Sequence, residues 1–499
     1  MRTRVRRVVG DLFAAWHVTA TRTGMLATFL IVVGSMTPAY LPQNSPWWGP
    51  LRALHLDNNG LVKVIGTLIL LSGLGLLVDA WFKFRPTVDI DVKRWAVLAI
   101  WSLPLLAAPP IFSSDAYSYS AQGWMLVNDV NPYEAGPGVL PGAFADQVAW
   151  VWRFTPAPYG PLSLRLQELI VVASGLHPYL SAVLMRIPAV AGVVLIVVLL
   201  PRIADRMGVD AQLTAWFATL NPLLVIDFVG GAHNDALMMG LVVLALWLGL
   251  KARMWLAGAV VIGVAAAVKQ PALLAAYALP LLADPLTTWK GAHIARTVGK
   301  IAASCLIAIG SFAGVSVACG LGFGWLNAVN VPGLVVTVSP STVIGQTIQL
   351  VLDYFQLDPS EHAAIRLARS VGIVIAVAGV LVLAVVQARK KPMSFLSWSY
   401  LLVAFAGPAL HSWYVLWGSL LLPLTRPSER IQRIALWTTM VLLSYAAINL
   451  AWRNGAVALG IAALGPLAWQ VIHHERTRRR ELAEPDLDTR EVPARGRDH

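Results

Sequence analysis

The chain has 499 residues, of which 57% are apolar and only 13% charged. That balance excludes a soluble multidomain protein and marks a polytopic membrane protein. A formal net charge of +12 could suit a nucleic-acid partner, but the basic residues sit between apolar runs, where they set topology, so no nucleic acid is expected.

In chain order, the apolar runs that approach the roughly 20 residues needed to cross a bilayer core of about 30 Å are 23–42, 61–82, 95–112, 180–200, 211–227, 235–250, 254–268, 271–283, 297–320, 363–387, 394–409, 412–424, 431–450 and 455–472. The expected fold class is therefore an all-α polytopic bundle of about 12–14 transmembrane helices. The first run has no small-residue cleavage site after it and is expected to be a retained span. Cys305 and Cys319 fall in one run, about 21 Å apart at helical rise, and cannot pair with each other.

Lys and Arg give the orientation. With a cytoplasmic N-terminus carrying Arg2, Arg4, Arg6, Arg7 and Arg22, the same side receives Lys83 to Arg94, Arg202 and Arg206, Lys251 and Arg253. It also receives Lys290 to Lys300, Arg389 to Lys391, and Arg426 to Arg433. Three parts follow: a basic cytoplasmic N-terminus, 1–22; a transmembrane domain, 23–472; and a charged cytoplasmic tail, 473–499, expected to be disordered or to lie on anionic headgroups. Neither a P-loop nor a GxGxxG after a strand occurs, which argues against an ATP-driven pump.

Two long loops, 113–179 and 321–362, are expected outside. The first mixes Trp and Tyr with Pro and Gly breaks, which suits short helices lying in the membrane interface. It opens with Ser-Ser-Asp-Ala-Tyr-Ser-Tyr-Ser, so Asp115 stands where the chain leaves an apolar run. Polar clusters also occur at Asn131–Glu134, at Gly230–Ala236 with His233, Asn234 and Asp235, at Lys269, and at His411, Trp413 and Tyr414. All fall at helix breaks, where irregular backbone must be satisfied by protein or by a hydrated cavity. Each has a structural alternative: Asp115 as an N-cap, the His233 to Asp235 segment as a polar turn, Lys269 snorkelling to headgroups, and His411 in an aromatic belt.

A single exposed carboxylate, a basic group and an apolar route from the lipid suit transfer of a sugar from a lipid phosphate. The phosphodiester supplies a leaving group, the lipid phosphate, that needs no general acid, while the acceptor hydroxyl needs one base. Lys269 or Arg186 would clamp the phosphate, and Tyr117, Tyr119 and Tyr159 would offer faces to sugar rings. No His-x-x-x-His, paired Cys or Asp-x-Asp spacing supports a metal, so no cofactor and a metal-independent reaction are expected.

These motifs, with Asn-Pro-Tyr-Glu-Ala-Gly-Pro, Ala-Pro-Tyr-Gly-Pro-Leu, Gly-Ala-His-Asn-Asp-Ala-Leu and His-Ser-Trp-Tyr-Val, resemble the GT-C glycosyltransferases. More narrowly, from about Ala96 to Leu424 they are similar to the actinobacterial α-(1→6)-mannopyranosyltransferases of lipomannan and lipoarabinomannan biosynthesis. The resemblance implies a polyprenyl-phosphate mannose donor and a lipid-anchored mannan or phosphatidylinositol mannoside acceptor. It also implies inversion at the outer face of the plasma membrane, with Asp115 as general base. Many GT-C enzymes carry two adjacent acids in the first loop. Here Ser114 and Ala116 flank Asp115, leaving Glu134, Asp146 or Glu168 as assisting carboxylate or base. Transfer of another sugar or linkage, and a lipid-sugar flippase or transporter, are the alternatives.

Overall fold

The computed structural model describes residues 2–465 apart from 43–44, 58, 87–89, 252–253, 286–289, 329–337, 358–361, 454 and 456. The tail 473–499 and the end of the run 455–472 lie outside the described residues. All regular structure among the described residues is helical. The principal helices are α1 (Arg2–His17), α2 (Thr19–Ser35), α3 (Gly60–Lys83), α4 (Arg94–Leu106), α5 (Asp115–Val127), α6 (Pro161–Ala173), α7 (Arg186–Arg206) and α8 (Asp235–Gly249). They continue with α9 (Trp255–Ala266), α10 (Leu274–Ala283), α11 (Gly291–Ala318), α12 (Pro340–Tyr354), α13 (Ala363–Leu383), α14 (Pro392–Ala406), α15 (Ser412–Ser419) and α16 (Glu429–Trp452).

Among the described residues, five helical stretches are long and apolar enough to cross a membrane: 60–83, 178–206, 291–318, 363–388 and 429–452. Two further ones form if each of two bent pairs is one span, and five shorter apolar helices of 10–17 residues join them. The chain is thus a polytopic membrane protein. Each of the short members, α4, α8, α9, α10 and α14, buries part of its surface in the bundle. They need not reach across a bilayer alone, because their neighbours and the chain breaks at their ends satisfy their backbones.

The N-terminal residues expected as a basic extension form α1, which turns 86° from α2 between residues 17 and 19. Val5, Val9, Phe13 and Trp16 are exposed along one side of α1. Apolar side chains beside arginines on a helix at right angles to a span suit a position in the membrane interface.

Close approach fixes the inner bundle. A Cβ on Gly192 of α7 would collide with the carbonyl of Ala236 on α8, and one on Gly240 would meet Gly192 in return. Small residues let these two backbones touch, the contact that stabilises helix pairs in lipid. It seats the first turn of α8, which carries Asp235. Gly123 plays the same part between α5 and α6: its Cβ would lie 2.5 Å from the Gln167 carbonyl oxygen.

The first long loop is structured. Gly160 and Leu162 donate their N–H groups to the carbonyls of Val268 (3.1 Å) and Ala267 (2.9 Å). This short pairing ties Tyr-Gly-Pro-Leu to the segment just before Lys269.

Candidate functional site

The site is built where several helices stop. In an apolar environment the final carbonyls of a helix need donors. At the end of α4 and of the π-helical segment Leu224–Gly230 those donors come from one buried side chain, Arg186. Its Nε donates to Val229 (3.1 Å), Nη1 to Ala108 (2.7 Å), and Nη2 to Pro109 (3.0 Å) and Gly230 (2.9 Å). A guanidinium has five N–H donors in a fixed fork, so four of them are committed here. Arg186 is 3% exposed. It does not line the cavity described below, a place different from that expected of a phosphate ligand, and what it does is hold two chain breaks together.

From those breaks the chain re-enters through two left-handed residues, Phe112 (φ 61°) and Ala232 (φ 57°). Such backbone is strained for residues with a side chain, and it directs the next residues, Ser113 to Asp115 and His233 to Asp235, toward each other. Asp115 is the first residue of α5, with Ser114 at the N-cap position and the Ser113 hydroxyl accepting from the Asp115 N–H at 3.1 Å. The Asp115 carboxylate is therefore not consumed as the cap. It faces His233 Nδ1 at 3.5 Å, with 16% of its side chain exposed.

That exposed edge opens on a cavity of about 1930 Å³. Asp115, Tyr117, Tyr159, Lys269, His411, Trp413 and Tyr414 all line it, so seven of the sequence candidates converge. Tyr117 is 2% exposed, and its hydroxyl has no hydrogen-bond partner among the described residues. Trp413 stacks against two imidazoles, that of His233 at 3.7 Å and that of His411 at 4.4 Å between ring centroids.

Behind this wall lies a second layer. Asp235 is fully buried and accepts from Lys269 Nζ on both oxygens, at 2.9 and 2.8 Å, and from Trp417 Nε1 at 2.7 Å. Lys269 thus turns inward and is not a snorkelling residue. Two of its three N–H donors are taken, one is left for the cavity, and the Tyr414 ring lies under the ammonium at 4.7 Å. Asn234 accepts from Tyr119 Oη at 3.4 Å and donates to Ser163 at 3.2 Å. Tyr119 meets Tyr159 edge to face at 5.0 Å.

Among the alternative carboxylates, Glu134 is exposed and accepts from Asn131 at 2.8 Å, away from the cavity wall. Glu168 pairs with Arg165 at 2.7 Å. Asp146 does line the cavity, paired with Arg153.

Sequence reasoning missed Trp417, Ser163 and Asp227. Trp417 stands four residues after Trp413, on the same face of α15, and that spacing was the available signal. Asp227 lies 1% exposed within the π-helical segment with Oδ2 unpartnered among the described residues, and its carbonyl accepts from the His233 N–H at 3.4 Å.

Asp115 lies in the first loop, outside the spanning helices. Burial pushes its carboxyl up, but the facing His233, together with His411 and Lys269, outweighs burial and holds it below the usual carboxylate range. Burial pushes His411 down to about 4. The cavity therefore presents an ionised carboxylate beside a neutral His411 at neutral pH. Among the described residues no three His, Cys, Asp or Glu side chains converge as a metal-binding group.

Residues 21–284 match the family model of the alpha-(1→6)-mannopyranosyltransferase N-terminal domain, and residues 341–469 match that of the MptB C-terminal domain. The chain is 30% identical over 498 residues to alpha-(1→6)-mannopyranosyltransferase A of Mycobacterium tuberculosis, covering 94% of this chain and 92% of that one. It is 30% identical to alpha-(1→6)-mannopyranosyltransferase A of Corynebacterium glutamicum, over 67% of this chain and 74% of the relative. With alpha-(1→6)-mannopyranosyltransferase B of the same organism it shares 25% identity, over 82% and 73%.

Proposed function

The chain belongs to the alpha-(1→6)-mannopyranosyltransferase family, and we propose that it moves mannose from polyprenyl-phosphate mannose to a lipid-anchored mannan. The observation that carries this reading is the ionised Asp115 at the edge of a large cavity whose walls join polar groups to apolar and aromatic ones. A lipid-borne sugar phosphate and a glycan need such a mixed surface. The names of the relatives support the sugar and the linkage.

In the proposed reaction the acceptor's 6-hydroxyl oxygen attacks the anomeric carbon of the donor mannose while the bond from that carbon to the phosphate oxygen breaks. The hydroxyl proton passes to Asp115, and polyprenyl phosphate leaves with the electron pair. One displacement inverts a β-mannosyl phosphate into an α-(1→6) mannoside. A carboxylate held below its usual range is a weak base toward a resting alcohol. It accepts the proton only as the new bond forms and the attacking oxygen gains positive character, the regime of an oxocarbenium-like transition state.

His233 and Trp413 position Asp115, the first by facing it at 3.5 Å and the second by stacking on that imidazole. Lys269 offers its remaining N–H to the donor phosphate while Asp235 and Trp417 fix the ammonium. The Tyr117 hydroxyl and the His411 ring face the sugar. The reaction is proposed to run without a metal, because departure of polyprenyl phosphate needs donors and no Lewis acid, and to face the outside, as the Lys and Arg distribution favours.

The test is transfer by purified protein in proteoliposomes, supplied with polyprenyl-phosphate mannose and a short α-(1→6)-mannoside. The expected product is the acceptor extended by one α-(1→6) mannose, with the rate unchanged by EDTA. A product of different linkage or sugar, or translocation of the sugar lipid without transfer, would overturn the reading.

A further inference from the structure

A second cavity, of about 580 Å³, runs beside the catalytic one along α16. Its floor on α16 runs through Arg430, Arg433, Trp437 and Val441, spacings of three and four that mark a single helix face, with Leu442 next to Val441. From Arg430 to Leu442 the face is about 18 Å long at helical rise. Pro340 at the start of α12 and Phe405 of α14 form side walls. Apart from Thr438, whose hydroxyl donates to the Ile434 carbonyl at 2.9 Å, the groove is apolar except at one end, where the two arginines are exposed. Neither arginine forms an ion pair among the described residues. At the other end, Val338, Leu410, Leu442 and Leu459 line both this groove and the catalytic cavity.

We infer that this groove seats an anionic phospholipid, its phosphate between Arg430 and Arg433 and one acyl chain along α16 toward the wall shared with the catalytic cavity. Charge selects this occupant. Two guanidinium groups at one end match a phosphate, and Arg presents paired donors to phosphate oxygens. A neutral hydrocarbon end would leave both groups without a counter-ion. A basic end between membrane helices, continuous with an apolar slot, is the arrangement that retains acidic lipids. The seated lipid belongs to the leaflet at which α16 begins, which the charge distribution makes the cytoplasmic one. Its chain end forms part of the catalytic cavity's wall.

The experiment uses full-length protein in phosphatidylcholine vesicles doped with a phosphatidylglycerol that carries a photo-crosslinking diazirine on one acyl chain. A parallel sample carries the same probe on phosphatidylcholine. Peptide mass spectrometry is expected to find adducts on the Trp437–Leu442 face about tenfold enriched for the anionic probe. That enrichment is expected to vanish in Arg430→Gln/Arg433→Gln, while labelling elsewhere on the chain, the check on folding, stays unchanged. Val441→Trp, which fills the groove and keeps both arginines, should lower labelling by both probes. Equal labelling by the two probes in the wild type overturns the inference, as does enrichment that survives the double substitution. Displacement of the probe by polyprenyl phosphate but not by unlabelled phosphatidylglycerol also overturns it, and assigns the groove to the donor. No readout depends on mannose transfer, so failure here is distinct from failure of the proposed activity.

Discussion

The carboxylate of Asp115 is held ionised by its neighbours against the pull of burial, and its proposed role as base is argued from that balance. His233 is the nearest of those neighbours. Replacing it by Gln removes a lowering influence and leaves burial to raise the carboxyl, so the acid limb of the pH–rate profile should move to higher pH. The wild type should hold its rate down into the acid range, because both Asp115 ionisation and His411 neutrality persist there; measuring kcat/KM from pH 4 to 8 distinguishes the two profiles. The Asp235–Lys269 pair makes a second prediction. Asp235→Asn strands a buried ammonium and should cost about 3–5 kcal/mol, visible as a lower unfolding temperature in detergent. Asp235→Asn/Lys269→Gln should recover much of that loss while mannose transfer stays impaired, which separates the structural role of the pair from its proposed contact with phosphate.

Helix ends decide how these side chains meet. Arg186 supplies donors to four carbonyls at two breaks, so Arg186→Leu should destabilise the protein by on the order of 3 kcal/mol or more. Arg186→Lys should recover only part, since an ammonium lacks the planar fork. Thermal unfolding with a linked measurement of monodispersity checks both. At the α7–α8 contact, Gly192→Leu meets backbone and not a movable side chain, so its cost should exceed the about 1–3 kcal/mol of ordinary overpacking. The apolar runs were legible because a helix in lipid must be apolar over most of its length. Each run that falls within the described residues is helical, with ends shifted where Pro or a π-helical turn intervenes. The 86° turn between α1 and α2 was not legible, since nothing in Ala-Ala-Trp-His-Val-Thr distinguishes a bend from a continuous helix.

Across the whole molecule, the candidate site was legible as a set and not as a network. Ionisable and aromatic residues beside Gly and Pro breaks are rare in an apolar chain, and Asp115, Lys269, His411, Trp413 and Tyr414 do share one cavity. Their pairings were hidden because they join positions far apart: Lys269 to Asp235, His233 to Asp115, Arg186 to Ala108. Which carbonyls lack donors depends on where each helix stops in space, so the sequence could offer Arg186 only as a cation. Glu134 had the right chemistry and the wrong place, on an exposed turn with Asn131.

The central claim is that Asp115 receives the acceptor's proton. Asp115→Asn keeps the shape of the side chain and removes its basicity, so the protein should fold and bind donor as before. In proteoliposomes with polyprenyl-phosphate mannose and an α-(1→6)-mannoside acceptor, its turnover is expected to fall by about 10²–10⁴-fold. Turnover equal to that of the wild type would contradict the account.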